Sequence, residues 1–303
     1  MVKVFYHNDC DGWCSAFWVR KYLENEKINF AVDDFIEMNY DKKFPWDSLT
    51  TGERVFMVDF SLDAVDMIKL DDMCDLTWID HHKTAIDKIS DLGSKNVIKG
   101  VRCDGIAACA LTWLYLISGI EIYCNIRSMS DEINRSINTY VPLFTQYIHL
   151  WDTWQWKNHP EKSNIEAFII GLQAIDTHPV TGKWDIFDRD YSIQDIIDSG
   201  KSMIYFRDGY AEGLCDSIGK VIEFEGYKCF VCNMPHCNSE WFITDPSLTY
   251  DIMMPFYYSM QTEQFCFSLY TTKDIDVSKI AVKYGGGGHS KAAGFQSKTL
   301  PFI

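Results

Sequence analysis

The sequence predicts an α/β protein in two parts. A parallel sheet with helices on both faces occupies residues 1–190, a smaller mixed-sheet α/β domain occupies residues 221–303, and a connecting helix over 191–220 joins them. Three observations predict this. The 303 residues exceed a typical single domain. Three early apolar runs, VKVFYHNDCDG, RVFMVDFS and DLTWIDHH, are rich in β-formers and end in polar residues, as short buried strands do. Between them lie stretches of helical character, SAFWVRKYLENEK and LDAVDMIKLDD, and such alternation builds a parallel sheet.

The remaining elements follow in order. GIAACALTWLYLISG, residues 105–119, predicts a buried helix, and further helices are expected over residues 131–151. YSIQDIIDSGKSMIYFRDGYAEGLCDSIG has helical spacing interrupted by glycines and supplies the connecting helix. No proline-rich or serine-rich linker marks the join. VIEFEGYKCFVCNM, YDIMMPFYYS and QFCFSLYTT then predict three β-like runs, and DVSKIAVKY carries an apolar face at helical spacing. There is no internal repeat and no low-complexity segment.

Composition narrows the function. With 47% apolar and 23% charged residues the chain has the makings of a core and no tract that predicts disorder. A net charge of -15 argues against a basic surface that holds long duplex DNA through many phosphates, so a nucleotide substrate would be short. Divalent cations bound to an acidic cluster would absorb part of that charge. The start, MVKVFYHND, has no basic region followed by an apolar run, and AACALTWLYLISGI is too short for an ordinary membrane span. Eleven cysteines without a compact framework fit reduced thiols, at least one of them unpaired within the chain. These features predict a cytoplasmic protein with no membrane contact, and leave its oligomeric state open.

The chemistry concentrates at the three strand ends. His7, Asp9 and Asp11 alternate at the first, Asp59 closes the second, and Asp80, His81 and His82 close the third. In open α/β sheets, ligands bind outside the carboxyl ends of the strands. Carboxylates with imidazoles are the donor set for a pair of divalent ions, which lower the pKa of water and neutralise a phosphoryl group under attack. Any one of these residues alone could be a turn-forming aspartate or a surface histidine; three clusters on successive strand ends point to metal.

In the order HNDCDG, VDFS, IDHH, then WDTW and finally GGGGHSKAAGF, the sequence resembles the DHH phosphoesterase superfamily with its DHH-associated C-terminal domain. That superfamily includes RecJ-like exonucleases, nanoRNases that also act as pAp phosphatases, and cyclic-dinucleotide phosphodiesterases. The resemblance covers almost the whole chain. It implies that His7, Asp9 and Asp59 hold one ion and that Asp11, Asp59, His81 and Asp152 hold the other, with Asp59 shared. It further implies that Asp80 orients a histidine, that His82 approaches the substrate phosphate, and that the ions are manganese, with magnesium or cobalt as alternatives. Spacing alone would not have chosen Asp152 from LWDTWQW, where it could equally be a helix-terminal aspartate. The neighbouring Trp151, Trp154 and Trp156 are expected in the core rather than as a platform for bases.

The run KYGGGGHSKAAGF, Lys283–Phe295, is a loop that cradles a phosphate or a slack tail when read alone. The resemblance implies the former, with Gly286, Gly287, Gly288 and His289 contacting a non-scissile phosphate or end group through an anion nest. Glycine just past a helix is also a common cap. Lys291 contacts phosphate or faces solvent. Upstream, Tyr270 stands where the superfamily has an arginine.

Weaker signals surround these. Cys229, Cys232, His236 and Cys237 superficially suggest zinc, but CFVC lies in an expected strand whose residues three apart point to opposite faces. Cys10 and Cys14 flank the first motif, as low-pKa thiols near cations or as packing residues. No Walker loop is present and no GxGxxG follows the first strand. The expectation is a two-metal-dependent phosphohydrolase that cuts short single-stranded oligonucleotides from one end. pAp phosphatase or cyclic-dinucleotide phosphodiesterase activity is the alternative, and a non-catalytic nucleic-acid-binding scaffold is the alternative of another class.

Overall fold

The computed structural model describes residues 2–40, 42–90, 98–118, 131–188, 193–235 and 249–302. Two compact units divide the chain, Met1–Ser202 and Met203–Ile303.

The first unit opens with β1 (Val2–His7), α1 (Cys10–Asn25), β2 (Phe35–Met38), β3 (Arg54–Val58), α2 (Ala64–Met73) and β4 (Asp75–Ile79). The strands lie in the order β2-β1-β3-β4, and every neighbouring pair is parallel. Alternate residues serve opposite faces. Val4, Tyr6, Phe56, Val58 and Ile79 pack with Val19 and Leu23 of α1, whereas Phe5, Val55, Met57, Leu76 and Trp78 pack with Met67 and Leu70 of α2. Both faces are covered, which is why these strands read as nearly continuous apolar runs. The expected strands are β1, β3 and β4; β2, FIEM, is four residues long and its half-buried pattern did not stand out from its surroundings.

Then come α3 (Lys83–Ser90), α4 (Ala108–Leu116), α5 (Asp131–Tyr140), α6 (Leu143–Asp152) and α7 (Lys162–Leu172). The helical stretch expected over 131–151 is two helices, because Pro142 cannot continue α5 and instead stands before the first residue of α6. A cluster of rings, Phe17 and Trp18 with Phe144, Trp184 and Phe187, fills the space beside α1. The long helix α8 (Ile193–Ile218) contains the boundary between the two units.

The second unit holds β5 (Lys220–Phe224), β6 (Tyr227–Asn233), β7 (Ile252–Ser259), β8 (Gln264–Tyr270), α9 (Val277–Lys283), β9 (Gly287–Gly288) and β10 (Ala292–Ser297). The order is β5-β6-β7-β8-β10-β9. The β6–β7 pair is parallel and the others are antiparallel, so the sheet is mixed. The run VIEFEGYKCFVCNM is a hairpin rather than one strand. Glu225 and Gly226 have φ of 53° and 82°, the pair of positive values that a tight two-residue turn requires. Cys229 packs on the sheet face covered by Val277, Ile280 and Ala281 of α9; Cys232 packs on the other, with Ala211 and Cys215 of α8. Both thiols are buried. His236 and Cys237 lie outside the described residues.

Candidate metal centre

Three strand ends and one helix end deliver the site. Beyond β1, Asp9 caps α1 by accepting the Gly12 N–H at 2.9 Å, and Asp11 lies in the first helical turn. HNDCDG is therefore a strand-to-helix turn. Its glycine is a steric requirement, since a Cβ at Gly12 would stand 2.1 Å from the His7 carbonyl oxygen. Asp59 follows β3, Asp80 to His82 follow β4, and Asp152 ends α6.

His81 Nε2 stands 3.5 Å from Asp11 Oδ2, 3.3 Å from Asp59 Oδ1 and 3.3 Å from Asp152 Oδ2. His7 Nδ1 stands 2.7 Å from Asp9 Oδ2 and 3.8 Å from Asp59 Oδ2. Three sets, His7–Asp9–Asp59, Asp11–His81–Asp152 and Asp59–His81–His82, each bring their donor atoms within 4.8 Å of one another. The three sets thus gather six of the seven strand-end residues, all but Asp80, together with Asp152, and Asp59 and His81 are each common to two sets. Asp152 is the residue that local sequence could not select, because it arrives from a helix 72 positions after Asp80 in the chain.

Asp59 has the surroundings that best fit a divalent cation. It is 1% exposed, and neither carboxylate oxygen has a hydrogen-bond donor among the described residues. Its backbone has a φ of 54°, a left-handed conformation that a non-glycine residue adopts at a cost and that clusters at functional sites. Burial and the charges of Asp11, Asp9, Asp80 and Asp152 hold its pKa well above the ordinary carboxylate value. Burial, Asp11 and Asp9 likewise push Asp152 up to about 8. Oxygen donors this crowded, interleaved with imidazoles, fit divalent ions, whose charge would turn the mutual repulsion into attraction.

Two supports hold the donors in place. Asp80, completely buried, accepts from the His81 and His82 backbone N–H groups at 2.7 and 3.1 Å, from His82 Nδ1 at 2.7 Å and from Trp78 Nε1 at 3.1 Å. Burial alone would raise its pKa, but the His82 bonds and the charges of His82 and His81 together outweigh that and hold it low. The same bond pushes His82 up to about 9. Asp11 is held by the start of α4: Ala108 N–H donates to Oδ2 at 2.8 Å and Cys109 N–H to Oδ1 at 2.7 Å. These helix-terminal amides have no partner within their own helix, so a carboxylate suits them. His149 Nδ1 accepts the preceding Ala107 N–H at 3.1 Å; burial pushes this histidine down to about 4, so it stays neutral.

Sequence reasoning missed α4 and His149 as supports. The one signal was an apolar helix starting on AACA with no capping side chain, and nothing local tied it to Asp11. Burial and the charge of Asp9 push the Cys10 thiol up to about 12. Cys14 is buried against Thr145. The expectation that three tryptophans are core is corrected for Trp154. Trp151 and Trp156 are half-buried and stack at 4.6 Å, but Trp154, just past the end of α6, takes a φ of 61° and is 66% exposed beneath the Lys157 ammonium at 4.3 Å.

In the second unit the glycine run is ordered by its neighbours. Gly285 N–H donates to Val282 at 3.0 Å and Gly286 N–H to Ala281 at 2.9 Å, a Schellman cap on α9 with Gly285 at a φ of 77°. Gly287 and Gly288 pair with Gly294 and Ala293, and His289 N–H donates to Ala292 at 2.7 Å. The His289 side chain is exposed at the hairpin tip. Lys291 Nζ donates to the Lys273 carbonyl, and Tyr270 packs half-buried against the cluster around Phe230 and Met253.

No family model matches the sequence. An uncharacterised protein of Acanthamoeba polyphaga mimivirus is 25% identical over 96% of this chain, which spans 66% of that protein, just under two thirds. The oligoribonuclease NrnB of Bacillus subtilis is 23% identical over 97% of this chain and 72% of its own length. Among solved structures, the pGpG-specific phosphodiesterase PggH of Vibrio cholerae superposes with a TM-score of 0.50 and 12% identity, over 98% of this chain and 93% of its own. The strand-end motifs thus assemble at the carboxyl edge of a parallel sheet, on a fold that this chain shares with the phosphodiesterase PggH.

Proposed function

We propose that this protein is a two-metal-dependent phosphohydrolase that cuts short single-stranded oligonucleotides from one end. The observation that carries it is Asp59: a buried carboxylate without a hydrogen-bond donor, in a left-handed backbone conformation, surrounded by the donors of two further strand ends and of α6. The sequence similarity to an oligoribonuclease over nearly the whole chain supports the substrate class.

His7, Asp9 and Asp59 would hold one ion, and Asp11, Asp59, His81 and Asp152 the other, manganese being the ion that the motif family implies. When bound, the pair supplies Lewis acidity that activates water and neutralises phosphoryl oxygens. The chain's own residues do the rest. Asp80 engages His82 Nδ1 and so orients the ring, which leaves Nε2 to face a phosphate oxygen. The start of α4 fixes both Asp11 oxygens, so the carboxylate meets its ion already oriented. Gly286, Gly287, Gly288, His289 and Lys291 would bind a second, non-scissile phosphate or end group. The amides of Gly285, Gly286 and His289 are given to backbone carbonyls and Gly287 and Gly288 pair with β10, so the exposed His289 ring carries most of that role.

A panel of end-labelled oligonucleotides of several lengths, assayed with manganese alongside pAp and cyclic dinucleotides, tests the reading. Stepwise shortening of the short oligonucleotides, stopped by a chelator, is expected. Oligonucleotide binding without turnover of any substrate would make the protein a scaffold, and selective turnover of pAp or a cyclic dinucleotide would replace the substrate class.

A further inference from the structure

A cavity of about 420 Å³ opens beside the metal centre, between the segment that follows β2 and the residues that follow Asp59. Its walls combine three kinds of group. Tyr40, Phe44, Trp46 and Phe60 supply rings, Lys42 and Lys43 supply positive charge, and Asp63 and Asp66 line the side formed by the start of α2. Nothing in the site described above uses it.

The rings are not equivalent. Phe60 is buried, and the Lys69 ammonium lies 3.8 Å over the Trp46 face. Phe44 meets Trp46 edge-on at 4.9 Å and Phe5 at 4.6 Å. Tyr40 alone among the described lining rings is largely open, at 60% exposure; its ring sits 5.0 Å from that of Phe60 and 5.7 Å from the His7 imidazole. An open aromatic face this near to His7 is placed for the group next to the reacting phosphate. The two lysines differ as well. Lys42 Nζ is drawn to Glu37, 3.7 Å from Oε1, whereas Lys43 has no acidic partner among the described residues.

We infer that this cavity is a nucleoside subsite: the base adjoining the phosphate at the metal centre stacks on Tyr40, and Lys43 meets the next phosphate along the strand. The acidic side accepts from sugar hydroxyls or base amino groups, with Asp66 better placed than Asp63, one of whose oxygens already accepts the Val65 and Asp66 N–H groups. Stacking on an aromatic ring tolerates every base, since each has a π-face, so the subsite selects nucleotides over simple phosphate esters without selecting sequence. The inference rests on the proposed phosphohydrolase reading for the position of the phosphate, and on the cavity itself for its ligand.

Binding and turnover separate the two. The dissociation constants of a dinucleotide and of the same compound lacking the base next to the bridging phosphate are measured for the wild type, Tyr40→Ala and Tyr40→Phe. In the wild type, loss of the base should weaken binding about tenfold, the worth of one base–aromatic stack. Tyr40→Ala should weaken the intact dinucleotide by a similar factor and the base-deleted compound by much less; Tyr40→Phe should retain the difference between them. Lys43→Gln should flatten the salt dependence of dinucleotide binding. Equal weakening of both ligands by Tyr40→Ala, or none, overturns the inference. Manganese-dependent turnover in the same samples is scored separately: its absence alongside base- and Tyr40-dependent binding removes the phosphohydrolase reading and leaves the nucleoside subsite standing.

Discussion

At the scale of single residues, the site is a set of side chains each of which would be unfavourable alone. Asp80 shows how such a group is retained. It is completely buried and charged, but four donors from Trp78, His81 and His82 surround it, so the desolvation of one carboxylate is offset while the adjacent histidines are oriented. Asp80→Asn keeps the shape and removes the charge. Activity should fall about 10- to 100-fold, as for other partners that orient metal-site histidines, with the larger share of the loss in kcat. Steady-state kinetics with circular dichroism of the same sample checks this; full activity would show that the His82 orientation does not depend on Asp80.

At the scale of elements, Asp185 ties α1 to the segment around Trp184. Its Oδ1 accepts from Arg20 Nη2 at 2.6 Å and from Lys21 Nζ at 3.0 Å. Burial alone would raise its pKa, but the two cations hold it below the ordinary 3.8. A depressed carboxylate contributes stability that is present above the unfolded value and lost as pH falls through the folded one, so this tie should act at neutral pH and fade below about pH 4. Asp185→Asn should therefore lower stability by about 1 kcal/mol at pH 7 and by much less in acid, the modest size reflecting an aspartate that stays partly in water. Denaturant melts at the two pH values measure the difference.

The elements also divide by how legible they were in the sequence. Strands buried on both faces declared themselves as apolar runs, and the polar residues at their ends located the site. β2 was too short to register. The glycines of β9 have no side chains to show a period, and the hairpin between β5 and β6 hid inside one apolar run because its turn occupies only Glu225 and Gly226. Within the site, His7 to Asp11, Asp59 and Asp80 to His82 were legible because each lies where a strand ends. The α4 amides and His149 were not, since their roles exist only once segments about 40 and 100 residues apart have packed together.

At the scale of the whole molecule, the carboxylates around Asp59 repel one another and oppose folding, and bound cations would relieve that repulsion. Ions that bind the folded chain and not the unfolded one stabilise by mass action, about 2.7 kcal/mol at a hundredfold excess over Kd, which corresponds to a rise of about 5–10 °C in Tm. Asp59→Asn, which keeps a side chain suited to the left-handed backbone, should abolish hydrolysis and most of that rise. In the presence of chelator it should melt above the wild type, by on the order of 1 kcal/mol in stability, because a crowded charge is gone. Calorimetry with and without manganese checks both signs; a chelated variant less stable than the wild type would mean that Asp59 supports the fold directly.

The brevity of β9 has an effect unrelated to ligands. It stands last in the order of the mixed sheet and is two residues long, both glycine. An edge strand is a template on which another chain can continue the sheet, and the hazard grows with its length and flatness. Two glycines that end in a hairpin tip offer little to continue from. The glycine run proposed above as a phosphate contact would therefore also guard that margin of the sheet against self-association.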